Sequence, residues 1–370
     1  MGERAKDNSS NNISRRGFFK KSLTLATALG ASSFIAGSLI DSETGNTLAA
    51  ALDSNTSGVG PSPAPARPSA PRDLPRALVV LARKTSRDDD RQALCRLLVE
   101  ASLRRLANTE RPEDAWAKFF KPDDVVAIKV NAITGKKLST SLALVEAITE
   151  GLMSCGVRSD KIIVWDRTTW ELDAAGFRVN FAKEGPLCFG TDAPSMGYET
   201  SPTIVGTVGS CFSRIITGAT TAMINVPVLR EHSVAGVSVA LKNNYGAIHN
   251  PNKYHADGCT PFVADVNMHP AIRNKTRLVV CDALNVQFHG GPGYKSRWTS
   301  GFGGVLVSTD PVALDAVGAE QIDRMRNSAG LRSLSEERRY PGYLSVASDR
   351  THALGISDRS RIDLINMELA

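Results

Sequence analysis

One otherwise apolar stretch of the 370-residue sequence, Asn225 to Asn250, carries many groups that bind ligands or transfer protons. They are Arg230, Glu231, His232, Lys242, Asn243, Asn244 and His249. Lysine side chains hold anions and carbonyl groups, and histidine exchanges protons near neutral pH. The stretch therefore predicts one wall of a site for a small anionic or carbonyl-bearing ligand.

This wall divides into two predicted elements. Residues 221–229 are predicted to form a buried strand that ends in the polar triplet 230–232. Gly236 to Tyr245 has small and apolar residues at helical spacing, which predicts a helix. Lys242 and Asn243 fall in its last turn, where a lysine also complements the helix dipole. Ligand binding and dipole stabilisation therefore both stay open as roles for Lys242.

Polar residues also end other apolar segments, and ligands of open α/β sheets bind at the carboxyl ends of strands. We therefore expect these side chains along one rim. The catalytic candidates, which are able to transfer protons or ligate a metal, are His232, Asp282 and Lys129. The candidates for holding or orienting the ligand are Asn131, Lys242, Asn243, Asp166, His289, Gly290 and Gly291.

Several of these residues also have structural interpretations. Lys129 interrupts an apolar segment, where a lysine at a sheet edge would extend its amine to solvent. Asp166 and Asp282 follow predicted strands, where aspartate often caps the next helix. Asp310 precedes a proline and is predicted to be such a cap. Asp315 lies further along the same helix and faces either the sheet or solvent.

A glycine-rich loop, FHGGPGYKSRW, spans residues 288–298 and includes three of the ligand-binding candidates. Glycines let backbone amides approach an anion, although a flexible surface loop would have the same composition. The sequence has no G-x-x-x-x-G-K-[ST] motif, no G-x-G-x-x-G after the first strand and no G-x-S-x-G, which argues against nucleotide binding and serine hydrolysis. It also has no H-x-x-x-H zinc helix. The loop histidines suited to acid–base chemistry or metal binding are His232, His249, His255 and His289.

The elements that must position these residues alternate along the chain. Continuously apolar strands, such as DDVVAIKVNA and KIIVWDR, are followed by segments with helical spacing. This order is typical of a mostly parallel sheet with helices on both faces. The sequence therefore predicts an α/β fold with one large domain, residues 76–370, and an irregular or β-rich insertion at about 177–216.

The N-terminus has the pattern of an export signal. Paired Arg15 and Arg16 in SRRGFFKK precede a weakly apolar run and the small residues Ala49 to Ala51. This resembles a twin-arginine signal over residues 1–51, recognised by the twin-arginine export machinery. A Pro/Ser/Ala-rich disordered linker is predicted for residues 52–75. We expect a periplasmic or extracytoplasmic protein with no stable membrane span after cleavage; an uncleaved anchor is the alternative.

Charge and cysteine content exclude other classes. The formal net charge of +6 is small and dispersed, which argues against nucleic-acid binding. Six cysteines are present without a C-x-x-C pair, which argues against an intrinsic iron–sulfur cluster. An exported protein is able to form disulfides, but buried free thiols fit these apolar contexts better. The residues identify no particular metal or cofactor.

Three segments resemble the family called domain of unknown function 362. They are DDVVAIKVN, INVPVLREHSVAGVSVALKNNYG and STDPVALDAVGAE, within Pro122 to Arg326. The resemblance implies an α/β protein, and the family is often associated with iron–sulfur proteins; some members carry a ferredoxin-type cluster segment. This chain lacks the clustered cysteines of those members. The resemblance implies no particular reaction.

Three functional hypotheses follow from these observations. The first is an exported enzyme or redox-associated protein with a polar site at the carboxyl rim of the sheet. The second is a periplasmic binding or accessory protein without catalysis, which needs only the ligand-holding groups. The third is a partner subunit of an iron–sulfur protein, with a redox partner protein.

Overall fold

The computed structural model describes residues 75–84, 90–182 and 184–369. The predicted signal (1–51) lies outside these residues, as does the predicted linker (52–75) except for Pro75. Within the described ranges, every helix is too short or too polar to cross a bilayer.

A large sheet forms the centre of the described structure. Its strands are β1 (Ala77–Arg83), β2 (Val126–Lys129), β3 (Ile162–Trp165), β4 (Leu187–Cys188), β7 (Ala222–Asn225), β8 (Val228–His232), β9 (Gly236–Ser238), β10 (Thr276–Gln287), β11 (Thr299–Ser308) and β12 (Ile362–Glu368). The order is β12-β1-β11-β10-β7-β2-β3-β4, and β8 pairs with β10 and β9. Only β11 and β9 run antiparallel to their neighbours within this sheet.

Helices cover both faces of this sheet. They are α1 (Arg91–Ala107), α2 (Pro112–Ala117), α3 (Leu142–Ser154), α4 (Thr169–Ala175), α5 (Ala240–Asn243), α6 (Phe262–Asn267), α7 (Pro270–Arg273), α8 (Pro311–Ser328) and α9 (Tyr343–Ala347). Side chains of a strand alternate between faces, so each strand contributes to two cores. Val126 and Ile128 pack with α1 and α3, whereas Ala127 packs in the core that contains α6 and α8. The predicted fold class is confirmed.

The segment predicted as an insertion, about 177–216, has little regular structure. It contributes β4 to the edge of the large sheet. It also contains a separate antiparallel pair, β5 (Thr203–Val205) and β6 (Val208–Ser210). A π-helical turn, Ile215–Ala219, leads back into the sheet.

Helix capping agrees with the sequence in one predicted case. The Asp310 carboxylate accepts hydrogen bonds from the backbone N–H groups of Val312 and Ala313, and Pro311 starts α8. Aspartate satisfies these N–H groups, which have no partner within the helix, and proline has no N–H to satisfy. The predicted cap is confirmed. Asp315, one turn later, is fully buried and does not face solvent.

Two local predictions are wrong. The predicted strand over 221–229 is interrupted after Asn225, and a second strand, β8, continues through the polar triplet to His232. The predicted helix from Gly236 to Tyr245 begins as strand β9, which pairs with β8, and only Ala240–Asn243 is α-helical. Tertiary pairing with β8 therefore overrides the helical spacing of this segment.

The connections diverge between β2 and β7. From β2 the chain passes to β3 and β4 on one side, and it returns to β7 and β10 on the other. Such a reversal opens a crevice outside the carboxyl ends of the two strands. Lys129 and Asn225, the last residues of β2 and β7, are register partners at this point.

Candidate functional site

A cavity of about 210 Å³ lies at this reversal of the sheet. Six of its lining residues were predicted from the sequence to hold or process a ligand, namely Lys129, Asn131, Asp166, His232, Lys242 and Asn243. The loop residue His255 also lines it. The structure therefore brings together side chains from the ends of β2, β3, β8 and α5, the most distant of which, Lys129 and Asn243, are 114 positions apart in sequence.

The floor of the cavity is built on a buried ion pair. Lys129 Nζ lies 2.7 Å from Asp166 Oδ1 and 2.7 Å from the Val130 carbonyl oxygen. The Lys129 side chain is 1% exposed and that of Asp166 is 7% exposed. Lys129 sits on the central strand β2, so the alternative of a lysine at a sheet edge is wrong.

Asp166 has its remaining hydrogen bonds satisfied by backbone. Its Oδ2 accepts from the N–H of Ala132 at 2.7 Å, and its Oδ1 also accepts from the N–H of Arg167. The following helix is capped by Thr168 instead, so the alternative of Asp166 as a helix cap is wrong. The two oxygens of Asp166 therefore accept from three donors, the Lys129 ammonium and two backbone N–H groups.

An amide chain extends the floor from the ion pair. Asn131 Nδ2 donates to Asn243 Oδ1 at 3.0 Å, and Asn243 Nδ2 donates to Asn225 Oδ1 at 2.8 Å. Asn225 Nδ2 donates in turn to the Ala240 carbonyl at the start of α5. We call Lys129, Asn131, Asp166, Asn225 and Asn243 the ion-pair floor.

Glycine at position 246 allows the backbone to pass close to this floor. A Cβ there would lie 2.8 Å from Asp166 Oδ1 and 2.8 Å from Lys129 Nζ. A methyl group at that distance would displace the ion pair. The glycine of the NNYG segment is therefore explained by close approach.

The opposite wall comes from β8, where side chains alternate in direction. Arg230 and His232 line the cavity, while Glu231 points away and accepts from the Gly291 N–H at 2.6 Å. Glu231 also forms an ion pair with Arg339. Strand alternation thus separates the one carboxylate of the triplet from its two basic neighbours.

Arg230 has an unusual environment for a cation. It is 3% exposed, and no described residue supplies a hydrogen-bond partner for its Nε or Nη1. Burial lowers the pKa of Arg230 to about 10, and the charge of Asp166 partly opposes this effect. The guanidinium is still a cation at neutral pH, and unpaired buried charge is costly.

His232 and His255 are placed in defined tautomers by their neighbours. His232 Nδ1 accepts from the N–H groups of Val234 and Ala235, so its neutral ring carries the proton on Nε2. Burial and the charge of Lys242 lower the pKa of His232 to about 3. His255 Nδ1 lies 3.0 Å from the Pro251 carbonyl, which only accepts, so Nδ1 is the protonated nitrogen.

Lys242 donates to the remaining nitrogen of His255. The distance from Lys242 Nζ to His255 Nε2 is 3.1 Å, and Nζ also lies 4.1 Å from the centre of the Tyr245 ring. The pKa of Lys242 is lowered to about 8, mainly by burial; Cys259 opposes this shift and the charge of Arg230 contributes to it. We call Arg230, His232, Lys242 and His255 the basic wall.

Asp315 positions the short helix that carries Lys242. Its carboxyl oxygens accept from the N–H groups of Ala240 at 2.7 Å and Leu241 at 3.2 Å, at the start of α5. Burial raises the pKa of Asp315 to about 8, despite these two hydrogen bonds. Asp315 lies in α8, within the segment STDPVALDAVGAE. This segment therefore acts on the cavity indirectly, by holding the helix α5 that carries Lys242 and Asn243.

Asp282 is not part of this cavity. It lies within the long strand β10 and lines a separate groove of about 650 Å³ with Lys136, Ser139 and Glu146. Its carboxylate accepts from the N–H of Ser141, at the start of α3, and from the N–H of Leu284. The expectation that Asp282 and His232 share one site is therefore corrected. Asp282 lies on the same face of the sheet as Val280 and Leu284, which pack with α1 and α3, whereas Lys129 lies on the opposite face with Ala127.

The glycine-rich loop reaches the cavity only through Pro292. His289 Nδ1 lies 3.1 Å from Arg326 Nη1, and the His289 ring packs on Trp298. Gly291 contacts Glu231 on the far side of β8, and Gly290 packs near Lys295. His289, Gly290 and Gly291 are therefore not brought to the cavity, although all three were expected in its wall.

Sequence reasoning gave too little weight to Arg230. It was recognised as polar, but not assigned a site role, because the face it occupies depends on where β8 ends. Asp315 was missed as a positioning residue for the same kind of reason, since nothing in α8 indicates that its carboxyl reaches α5. The sequence signal that could have identified Arg230 as a site residue is its place within an apolar segment, two residues before His232.

The residues do not fit a metal centre or cluster within the described ranges. All six cysteines are free thiols, and no group of three or more His, Cys, Asp or Glu side chains there has a metal-binding arrangement. Iron–sulfur clusters need several thiolates around one centre. We therefore assign no step to a metal or a cluster.

Comparison with known proteins identifies the family. The model of the family "Domain of unknown function (DUF362)" matches residues 126–320, more than half of the chain. The chain belongs to this family. The predicted resemblance is confirmed, and the matched range contains both the ion-pair floor and the basic wall.

Other comparisons add little. No match was found among curated proteins. A crystal structure of a Thermotoga maritima protein from the Northeast Structural Genomics Consortium is 10% identical, with a TM-score of 0.36. The similarity covers 60% of this chain and 58% of that one, which is less than two thirds of its length. At this TM-score the likeness carries no argument about function.

Proposed function

We propose that this family member is an exported protein that binds a small carboxylate in the cavity between the ion-pair floor and the basic wall. The observation that carries the proposal is the Arg230 guanidinium, buried at 3% exposure with Nε and Nη1 unpartnered among the described residues. Guanidinium groups match carboxylates through paired N–H donors. A bound carboxylate would supply the missing partner.

The charge balance of the cavity supports an anionic ligand. Of the four lining cations, Lys129 pairs with Asp166 and Arg167 pairs with Glu171. Arg230 and Lys242 remain without a carboxylate partner among the described residues. Because both are desolvated, an anion between them would gain more than it would on the surface.

The size of the cavity limits the ligand. A volume of about 210 Å³ is below the range of roughly 300–1,000 Å³ usual for sites of drug-sized molecules. The amide groups of Asn131 and Asn243 line the same cavity as Arg230 and would orient a second polar group. The ligand class is therefore a short carboxylic acid with one further oxygen.

Titration calorimetry with acetate and pyruvate tests this proposal. We expect binding to the full-length protein, and a roughly tenfold to hundredfold loss in Arg230→Met, because a hydrogen bond to a charged group contributes about 1.5–3 kcal/mol. Arg350→Met, at an exposed arginine, is the matched control and should bind as the wild type does. Absence of binding to the wild type, or equal binding by Arg230→Met, would contradict the proposal.

Export is the second part of the proposal, and the sequence of residues 1–51 supports it. Replacing Arg15 and Arg16 with lysine should keep the protein in the cytoplasm, since paired arginines distinguish this signal from other basic leaders. Cell fractionation with an antibody to the protein measures the effect. Unchanged export of the double variant would contradict this part.

A further inference from the structure

We propose that Lys242 is a nucleophile that forms an imine with the carbonyl group of a 2-oxo acid, whose carboxylate binds Arg230. This inference rests on the proposed carboxylate site and adds a covalent step to it. It places the reacting amine on α5 and the anchoring guanidinium on β8, both lining the same cavity.

The environment of Lys242 is that of a reactive amine. It lacks a carboxylate partner among the described residues, it is 6% exposed, and its Nζ contacts an imidazole and an aromatic ring. Lysines that form imines are activated by desolvation and by a neighbouring cation. Burial lowers the pKa of Lys242 to about 8, and Arg230 supplies the neighbouring positive charge.

Lys129 shows the contrasting arrangement in the same cavity. Its Nζ is held by Asp166, by the Val130 carbonyl and, at 3.5 Å, by Asn243. A lysine with this set of acceptors is fixed in position. The two buried lysines of the cavity therefore differ in their partners, since Lys129 is paired with a carboxylate and Lys242 with an imidazole.

His255 supplies the proton transfers that imine formation needs. Its Nδ1–H faces the Pro251 carbonyl, which leaves Nε2 to take a proton from the Lys242 ammonium across 3.1 Å. The neutral amine then adds to the carbonyl carbon and forms a C–N bond. A proton moves from the nitrogen to the carbonyl oxygen, which becomes a hydroxyl group. His255 returns the proton to this hydroxyl, the C–O bond breaks, and water leaves. The products are a protonated imine, water and neutral His255, so atoms and charge balance.

Two other possible nucleophiles near Lys242, a thiol and a phenol hydroxyl, do not compete with it for the carbonyl group. Burial raises the pKa of the Cys259 thiol, so it is uncharged at neutral pH and a poor nucleophile. Burial also raises the pKa of the Tyr245 hydroxyl, which donates to the Tyr254 carbonyl at 2.7 Å. His232 is neutral and stacks near His255, with ring centres 5.8 Å apart.

The ligand class follows from the two anchors together. Arg230 and Lys242 line one small cavity, and the charge of Arg230 contributes to the lowered pKa of Lys242. The carboxylate and the carbonyl must therefore be close neighbours in the ligand. A 2-oxo acid, in which the two groups share a bond, meets this requirement with the fewest atoms.

Reductive trapping with pyruvate and sodium borohydride tests the inference on the full-length protein. Hydride adds to the imine carbon and converts the adduct into a stable secondary amine, which peptide mass spectrometry locates. We expect one adduct on Lys242 in the wild type and none in Lys242→Arg, which keeps the charge but removes the nucleophile. Arg230→Met should lower the yield at least tenfold, and excess acetate should protect Lys242.

The controls separate this inference from the proposed carboxylate site. Exposed Lys253 is an internal control, and labelling of Lys253 equal to that of Lys242 would indicate non-specific reaction and overturn the inference. Pyruvate binding by calorimetry without trapping would overturn the imine alone. Neither binding nor trapping would overturn both. Lys242→Met should have a circular dichroism spectrum like that of the wild type. This result would show that loss of trapping at this position is not caused by loss of folding.

Discussion

Residues of the ion-pair floor and of the basic wall line one cavity, and both groups contain a buried cation. Lys129 in the floor has a carboxylate at 2.7 Å and a backbone carbonyl at the same distance. Arg230 in the wall has two nitrogens without partners among the described residues. The two cations are thus similarly buried, but Lys129 is paired with a carboxylate and Arg230 is not.

This difference separates structural roles from binding roles. In the ion-pair floor the charges are paired and most amide groups are hydrogen-bonded, which stabilises one conformation, although Asn131 Oδ1 has no partner among the described residues. A buried group without a partner costs free energy in the empty protein and returns it when a partner binds. Replacing floor residues should therefore affect stability, and replacing wall residues should affect binding.

The largest expected effect is that of Asp166→Asn. The amide removes the carboxylate that pairs with Lys129 and leaves the ammonium buried without compensation, which typically costs about 3–5 kcal/mol. Equilibrium unfolding in urea, followed by circular dichroism, measures this loss. The result would sharpen the comparison, because at neutral pH a large loss is expected for this floor substitution and none for Arg230→Met in the wall.

Asp363→Asn is the matched control for this substitution. Its partner is Arg76, and the two side chains are 51% and 50% exposed, so solvent screens their interaction. We expect a far smaller change in the free energy of unfolding. Equal losses in Asp166→Asn and Asp363→Asn would show that burial of the Lys129 pair is not what matters.

The next largest effect is the pH dependence contributed by His232. Its pKa falls to about 3 in the folded protein, from an ordinary value of 6.5. The unfolded chain therefore binds the proton first, and the stability contributed by neutral His232 is lost as the pH falls from 6.5 towards 3. His232→Asn keeps an acceptor near the Nδ1 position but does not titrate. The advantage of the wild type should shrink by about 3 kcal/mol between pH 6.5 and 4.

A second histidine gives a control of opposite sign. Burial alone would lower the pKa of His352, but hydrogen bonds to Asp265 and Asp349 raise it above its ordinary value. The stability from this residue is fully present below pH 6.5 and is lost as the pH rises through the raised pKa.

For His232, parallel curves of unfolding free energy against pH for the wild type and His232→Asn would contradict the account of the basic wall.

Much of the floor was predictable from the sequence, and less of the wall. Lys129, Asn131 and Asp166 directly follow or end apolar runs, so placing the strands also places these side chains at one rim. Lys242 and Asn243 were predicted in the correct place although the helix around them is only one turn long.

The remaining features depend on tertiary contacts that no local pattern records. The helical spacing of 236–245 gives way because β9 pairs with β8. Asp282 leaves the predicted site because its position in β10 places it on the face of the sheet that α1 and α3 cover, and that direction depends on the strand register. The direction of Arg230 follows from strand alternation only once β8 is known to continue to His232.

Unfolding of Arg230→Met, with and without pyruvate, tests the central claim most directly. Methionine removes a buried charge with unpartnered nitrogens, so the variant without ligand should be at least as stable as the wild type. Pyruvate at one hundred times its dissociation constant should stabilise the wild type by about 2.7 kcal/mol, and a variant that binds tenfold to hundredfold more weakly by only about 0.4–1.4 kcal/mol. A variant that is clearly less stable than the wild type without ligand, and that pyruvate stabilises as much as the wild type, would contradict the account.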